Sequence, residues 1–135
     1  MRSVVNCCEE YAGPEALYAQ HGVKQFRLNC IDFCDVPLEK IVAAVDHLCG
    51  EVDAAHGGAH APLYIHCKSG RGRAVTIATA FLAKQYHQGN TRVANAVIKK
   101  ARPVAFGTVY QRPAMVEYAS RHLRNSLSRS PVAAS

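Results

Sequence analysis

Pro62-Leu63-Tyr64-Ile65-His66-Cys67-Lys68-Ser69-Gly70-Arg71-Gly72-Arg73-Ala74-Val75-Thr76-Ile77 is the stretch on which the fold turns. Residues 62–66 have strand character, a polar turn with two glycines follows, and residues 73–85 read as a strongly apolar helix. A strand that runs through a tight loop into a helix points several backbone N–H groups at one spot, with the positive end of the helix dipole behind them. Gly70 and Gly72 supply the positive φ values that such an anion nest uses. Cys67, at the end of the strand, then lies at the mouth of the nest, where the N–H groups and Arg73 stabilise its thiolate. Arg73 returns to the nest six positions on and offers a planar fork to two phosphate oxygens, a contact lysine cannot make. The plain alternative is an inert buried cysteine in a glycine-rich turn. Lys68 and Arg71 beside the cysteine, with a third cation closing the loop, argue against it.

Outward from the loop, residues 2–8 and 24–29 read as short buried strands. Between them a short helix, 15–21, opens at Gly13-Pro14 and stops at Gly22. Pro37 opens a longer helix with Leu38, Ile41, Val42, Val45 and Leu48 on one face. Residues 56–61, with Gly57-Gly58, read as a loop. Asn90 or Thr91 caps a helix that stops at Arg102-Pro103. A last helix covers 109–123, and 125–135 reads as a flexible polar tail. The alternation places the chain in the α/β class, with a mostly parallel central sheet covered on both faces by helices. At 135 residues there is room for one domain, residues 1–124, followed by the tail 125–135. Three strands are few for such a sheet, so either some escape this reading or the domain's N-terminal part is not in this chain.

The net charge of +6 is unevenly spread. Residues 1–62 hold four Lys/Arg against nine Asp/Glu, a balance of −5; residues 63–135 hold twelve against Glu117 alone, a balance of +11. The second half therefore suits an anionic partner, either a phosphorylated substrate or, peripherally, a membrane surface. Arg121, Arg124 and Arg129 read as solvated helix faces. Nucleic acid is not expected as a partner, because aromatics do not interleave with the basic residues. No apolar run reaches the roughly 18 residues a membrane span needs. No signal peptide or presequence is visible, and an intracellular setting, cytoplasmic or mitochondrial, is expected. The six cysteines therefore do not argue for disulfides. Cys30-x3-Cys34 lacks a second pair at zinc spacing, so no metal or other cofactor is expected, and five of the six cysteines read as structural.

His66-Cys67-x5-Arg73 resembles the signature of the protein tyrosine phosphatase superfamily, dual-specificity type. The loop looks most like those of the mitochondrial protein tyrosine phosphatase-like (phosphatidylglycerophosphate phosphatase) subfamily. Glu9-Glu10-Tyr11 after a strand resembles its Glu-Glu-Tyr loop. Phe26-Arg27-Leu28 with Asp32 and Pro37 resembles the segment around its general acid, and Arg102-Pro103 with Gln111 resembles its C-terminal pattern. The similarity spans about residues 4–120.

The resemblance implies a cysteine-dependent phosphomonoester hydrolase in which Cys67 forms a cysteinyl-phosphate. Lys68, Ser69, Gly70, Arg71, Gly72 and Arg73 would hold the phosphate, and Asp32 would protonate the leaving oxygen, with Asp35 on the same loop as its rival. General acid catalysis typically supplies about 10²–10⁴ in rate. Lys68 and Arg71 resemble the paired basic residues of enzymes acting on phospholipid head groups that carry more than one anion. Phosphoproteins are the alternative substrate class, and a weakly active phosphate-binding module the alternative function; a related enzyme for arsenate or RNA ends is a more distant reading. The chain departs from the pattern at Ala74, where the family usually has a Ser or Thr that assists thiolate departure. The resemblance also implies a strand–helix segment ahead of the first strand read here, so the domain is expected to be short at its N-terminus.

Overall fold

The computed structural model describes residues 3–55 and 62–123. Its centre is a three-stranded parallel sheet in the order β2-β1-β3, with β1 at Ser3–Cys8, β2 at Lys24–Cys30 and β3 at Leu63–His66. Val5 pairs with Phe26 on one side and Ile65 on the other. Every residue of β1 is buried, which explains its unbroken Val-Val and Cys-Cys run. Parallel pairing brings the three strand ends to one edge of the sheet. The residues that follow them, Glu9-Glu10, Ile31-Asp32 and Cys67, therefore emerge together there.

The strand helices follow the expected positions closely. Helix α1 (Glu15–Gln20) ends at His21 and Gly22, whose φ of +67° suits glycine. Helix α2 (Leu38–Ala54) begins after Pro37 and buries Ile41, Ala44, Val45 and Leu48 at helical spacing. Helix α3 (Arg73–Tyr86) packs between α2 and helix α4 (Thr91–Ala101), and nine of its residues are buried. The Asn90 side chain caps α4 by accepting from the Val93 N–H at 3.0 Å. Val5, Leu28, Ile41, Leu48, Ile77, Met115 and Tyr118 share one core. Each large apolar side chain buried there contributes about 1.5–3 kcal/mol.

The parallel sheet flanked by helices is as expected, and polar side chains of β1 and β2 tie the loop before α1 to it. Gln25 and Asn6 donate to the carbonyls of Ala12 (2.9 Å) and Tyr11 (2.7 Å), and α1, which has no buried residue, packs on β2. The single helix expected over 109–123 is broken into a 3₁₀ turn (Val109–Gln111), helix α5 (Pro113–Tyr118) and a π turn (Ala119–Leu123). Pro113 causes the break, because its ring disfavours helical geometry at the preceding residue; Arg112 is extended, at φ −67° and ψ 144°. The loop at 56–61 and the tail at 125–135 lie outside the described residues.

Candidate active site

The loop between β3 and α3 wraps the sulfur of Cys67. Gly70 donates its N–H to Cys67 Sγ at 3.3 Å, and Ala74, in the first turn of α3, donates at 3.5 Å. Two backbone N–H groups and a helix N-terminus thus face one sulfur. Gly70 has the φ of +69° a nest requires, but Gly72 does not: its φ is −124°. What Gly72 needs is space, since a Cβ there would sit 3.3 Å from the Phe106 ring. Arg102 braces the loop from behind, donating from Nε to the Gly70 carbonyl (3.2 Å) and from Nη2 to that of Ser69 (2.9 Å). A further backbone bond ties the Phe106 N–H to the Arg71 carbonyl at 2.9 Å.

Arg73 is 4% exposed, and a guanidinium so deeply buried must be paired. Glu10 meets it side-on: Nη1 donates to Oε1 at 2.8 Å and Nη2 to Oε2 at 2.9 Å. Nη1 also donates to the Cys30 carbonyl at 2.9 Å, and Nη2 lies 3.3 Å from Asp32 Oδ1. The ends of β1 and β2 thus converge on the same guanidinium, the first through Glu10 and the second through the Cys30 carbonyl and Asp32. The hydrogen bonds from Arg73 hold the Glu10 carboxyl down to about 2, well below the carboxylate range, and Glu10 in turn raises the Arg73 pKa. The loop carrying Glu10 is itself anchored. Arg27 Nη2 donates to the carbonyls of Cys8, Glu9 and Tyr11 at 3.0–3.1 Å, and buried Asn6 caps the β-bulge through the Cys8 N–H at 2.9 Å.

A cavity of about 520 Å³ opens over this cluster, lined by Cys67, Ser69, Arg71, Gly72 and Arg73 from the loop and by Asp32 and Asp35 from the segment after β2. Of the residues expected to bind substrate, Lys68 and Gly70 do not line it; Lys68 stands in a smaller pocket with Glu10, Tyr11 and His66 that Cys67 also lines. Gly70 serves the site through its N–H rather than as lining. Asp35 lies across the cavity, 3.9 Å from Arg112. Gln111 is not among the lining residues and donates instead to the Tyr110 hydroxyl at 3.2 Å. Sequence reasoning gave Glu10 no role and passed over Arg112 and Phe106, which also line the cavity or its loop. The pattern Arg112-Pro113 was the available signal for the Arg112 kink.

Burial pushes the thiols of Cys7 and Cys8 up, and that of Cys30 up to about 11. These three, with half-buried Cys49, are the inert cysteines. Cys34 departs from the structural role expected of it: it is exposed and lines the cavity.

No family model matches the chain. It is 33% identical over 102 residues to dual specificity phosphatase 28 of Homo sapiens, a match covering 75% of this chain and 52% of that protein. It is 28% identical over 107 residues to phosphatidylglycerophosphate phosphatase PTPMT1 of Arabidopsis thaliana, covering 78% of this chain and 30% of that one. The chain thus spans about half or less of the length of these curated relatives. The crystal structure of Tk-PTP in the active form superposes with a TM-score of 0.71 at 27% identity, covering 89% of this chain and 79% of that one. These likenesses in sequence and fold support the dual-specificity/protein tyrosine phosphatase superfamily as the one this chain resembles.

Proposed function

We propose that the protein is a cysteine-dependent phosphomonoester hydrolase acting through a cysteinyl-phosphate. The observation that carries this reading is the pairing of Cys67 Sγ, which receives two backbone N–H groups, with an Arg73 fork aligned by Glu10. In the first step Cys67 Sγ attacks phosphorus, the P–O bond to the alcohol breaks, and Asp32 gives its proton to the departing oxygen. In the second, water attacks the same phosphorus, Asp32 takes up the proton, and the S–P bond breaks to release phosphate and the thiolate. The loop N–H groups and Arg73 carry the charge of the transferring phosphoryl group. Asp32 is preferred over Asp35 because it lies 3.3 Å from Arg73, whereas Asp35 faces Arg112. A phosphate oxygen arriving at Nη2 would displace Asp32 and free it to meet the leaving group.

For the substrate we favour a phospholipid head group. Arg71 adds a second cation beside Arg73 in the cavity, and the plant relative is by name a phosphatidylglycerophosphate phosphatase. Likeness to dual specificity phosphatase 28 supports the second reading, a protein phosphatase. Hydrolysis of an aryl phosphate by the wild type and by Cys67→Ser tests the mechanism, since the serine hydroxyl is far less acidic than the thiol it replaces. Turnover retained by Cys67→Ser would rule it out. Lipid micelles set against phosphopeptides then decide between the two substrate classes.

A further inference from the structure

We propose that Arg112, working with Arg71, forms a second anion subsite in the mouth of the cavity. It would receive an anionic group carried on the alcohol part of the phosphomonoester. The proposal rests on the hydrolase reading above and adds which residue selects the substrate.

Three arginines line the cavity: Arg71, Arg73 and Arg112. Arg73 is committed, with both terminal nitrogens engaged by Glu10, the Cys30 carbonyl and Asp32. Arg112 is placed but not satisfied. Its guanidinium carbon lies 5.6 Å over the Phe106 ring, which fixes its direction. Its Nη2 comes within 4.0 Å of where a Cβ on Gly72 would stand, so the cation rests against the phosphate loop itself. The carboxylate facing it, Asp35, is 3.9 Å away, beyond hydrogen-bond reach, and both side chains are about a third exposed. Among the described residues this guanidinium donates no hydrogen bond.

A planar fork held by an aromatic face, with weak competition and access to solvent, is suited to an incoming carboxylate, phosphate or phosphodiester. Its position follows from Pro113. The extended Arg112 leaves the helical path and turns toward the cavity, whereas a continuous helix through 109–123 would give it another direction. Lys68, the other basic residue of the loop, lies on the far flank of Cys67 with Glu10. The second anion is therefore expected on the Arg71–Arg112 side.

The test compares matched substrates within one protein preparation, so that any loss of folded material cancels. One pair is phenyl phosphate and 4-carboxyphenyl phosphate; the other is short-chain phosphatidic acid and short-chain phosphatidylglycerophosphate, which adds a phosphodiester. In each pair kcat/KM for the two-anion substrate is divided by that for the one-anion substrate. Arg112→Ala should lower this ratio about tenfold in at least one pair, mainly through KM, as expected for loss of a charged contact. Arg112→Lys should recover part of it, because the charge returns without the fork. An effect on the lipid pair alone assigns the subsite to the diester. A ratio unchanged in both pairs, with the wild type active on phenyl phosphate, overturns the subsite and leaves the hydrolase reading standing. A wild type inactive on all four substrates overturns both.

Discussion

Glu10→Gln is the substitution on which the proposed site depends most directly. The two carboxylate oxygens align the Arg73 fork through bonds of 2.8 and 2.9 Å. Glutamine keeps one acceptor at nearly the same place and turns an NH₂ group toward the guanidinium, so one bond is lost and a donor faces a donor. Hydrogen bonds to charged groups contribute about 1.5–3 kcal/mol each. Because the Glu10 side chain is 44% exposed, water screens the pair and fills part of the gap, which reduces the net loss to about 1–2 kcal/mol. If that loss is felt where Arg73 meets the phosphoryl group, kcat/KM on an aryl phosphate should fall roughly 5–30-fold. Inhibition by inorganic phosphate should weaken alongside it, since the same fork holds the ground-state anion. Steady-state kinetics, a phosphate inhibition series and a thermal melt at the same pH separate misalignment from unfolding. A Glu10→Gln protein that melts normally and matches the wild type in both kcat/KM and phosphate inhibition would show that Glu10 does not position Arg73.

The pair also makes a pH prediction. The folded Glu10 carboxyl is held down to about 2 from an ordinary value of 4.5, so the unfolded chain binds the proton first on acidification. The stabilisation is complete above about pH 4.5 and is lost as pH falls toward about 2; Glu10→Gln should flatten that part of a melting-temperature profile. Asp32→Ala should reduce hydrolysis of alkyl phosphates about 10²-fold or more and of nitrophenyl phosphate far less, because only the poor leaving group needs a proton. If Asp35→Ala gives that pattern instead, the acid lies three residues along. With Ala74 in place of a hydroxyl, rapid mixing should show a burst of alcohol followed by a slower steady rate, and Ala74→Ser should shrink the burst. A linear wild-type time course with no gain from Ala74→Ser would place the slow step earlier.

The fold was legible in the sequence because its signals are local. The strand–loop–helix at residues 62–85, the proline before α2 and the Asn90 cap each report on neighbours a few residues away, and the structure places those elements within a residue or two of expectation. Parallel order then follows from alternation, and with it the convergence of Glu10, Asp32 and Cys67 at one edge. The side chain that returns to that edge is a different kind of fact. Glu10 is separated from Arg73 by 63 residues, and a Glu-Glu pair does not say which carboxylate turns inward. That choice is made by Arg27 and Asn6, whose hydrogen bonds set the path of the loop.

Arg112 was hidden for a more specific reason. Read by hydrophobic spacing, residues 109–123 form one helix, because Val109, Met115, Tyr118 and Leu123 are all buried. Burial periodicity reports which residues face the core and is nearly blind to one extended residue between two helical turns. The proline rule sees it: Pro113 removes the helical option from the residue before it, and that residue is the arginine against the loop between β3 and α3. Restoring the option should therefore act on selectivity rather than on the core. In Pro113→Ala the 3₁₀ turn and α5 can join, carrying Arg112 away from Phe106 and Gly72, while Met115 and Tyr118 keep their burial. The expected outcome is a melting temperature close to that of the wild type and a two-anion to one-anion kcat/KM ratio that falls as it does in Arg112→Ala. A ratio that stays at the wild-type value, in a variant whose helical circular dichroism has increased, would show that the kink does not place the arginine.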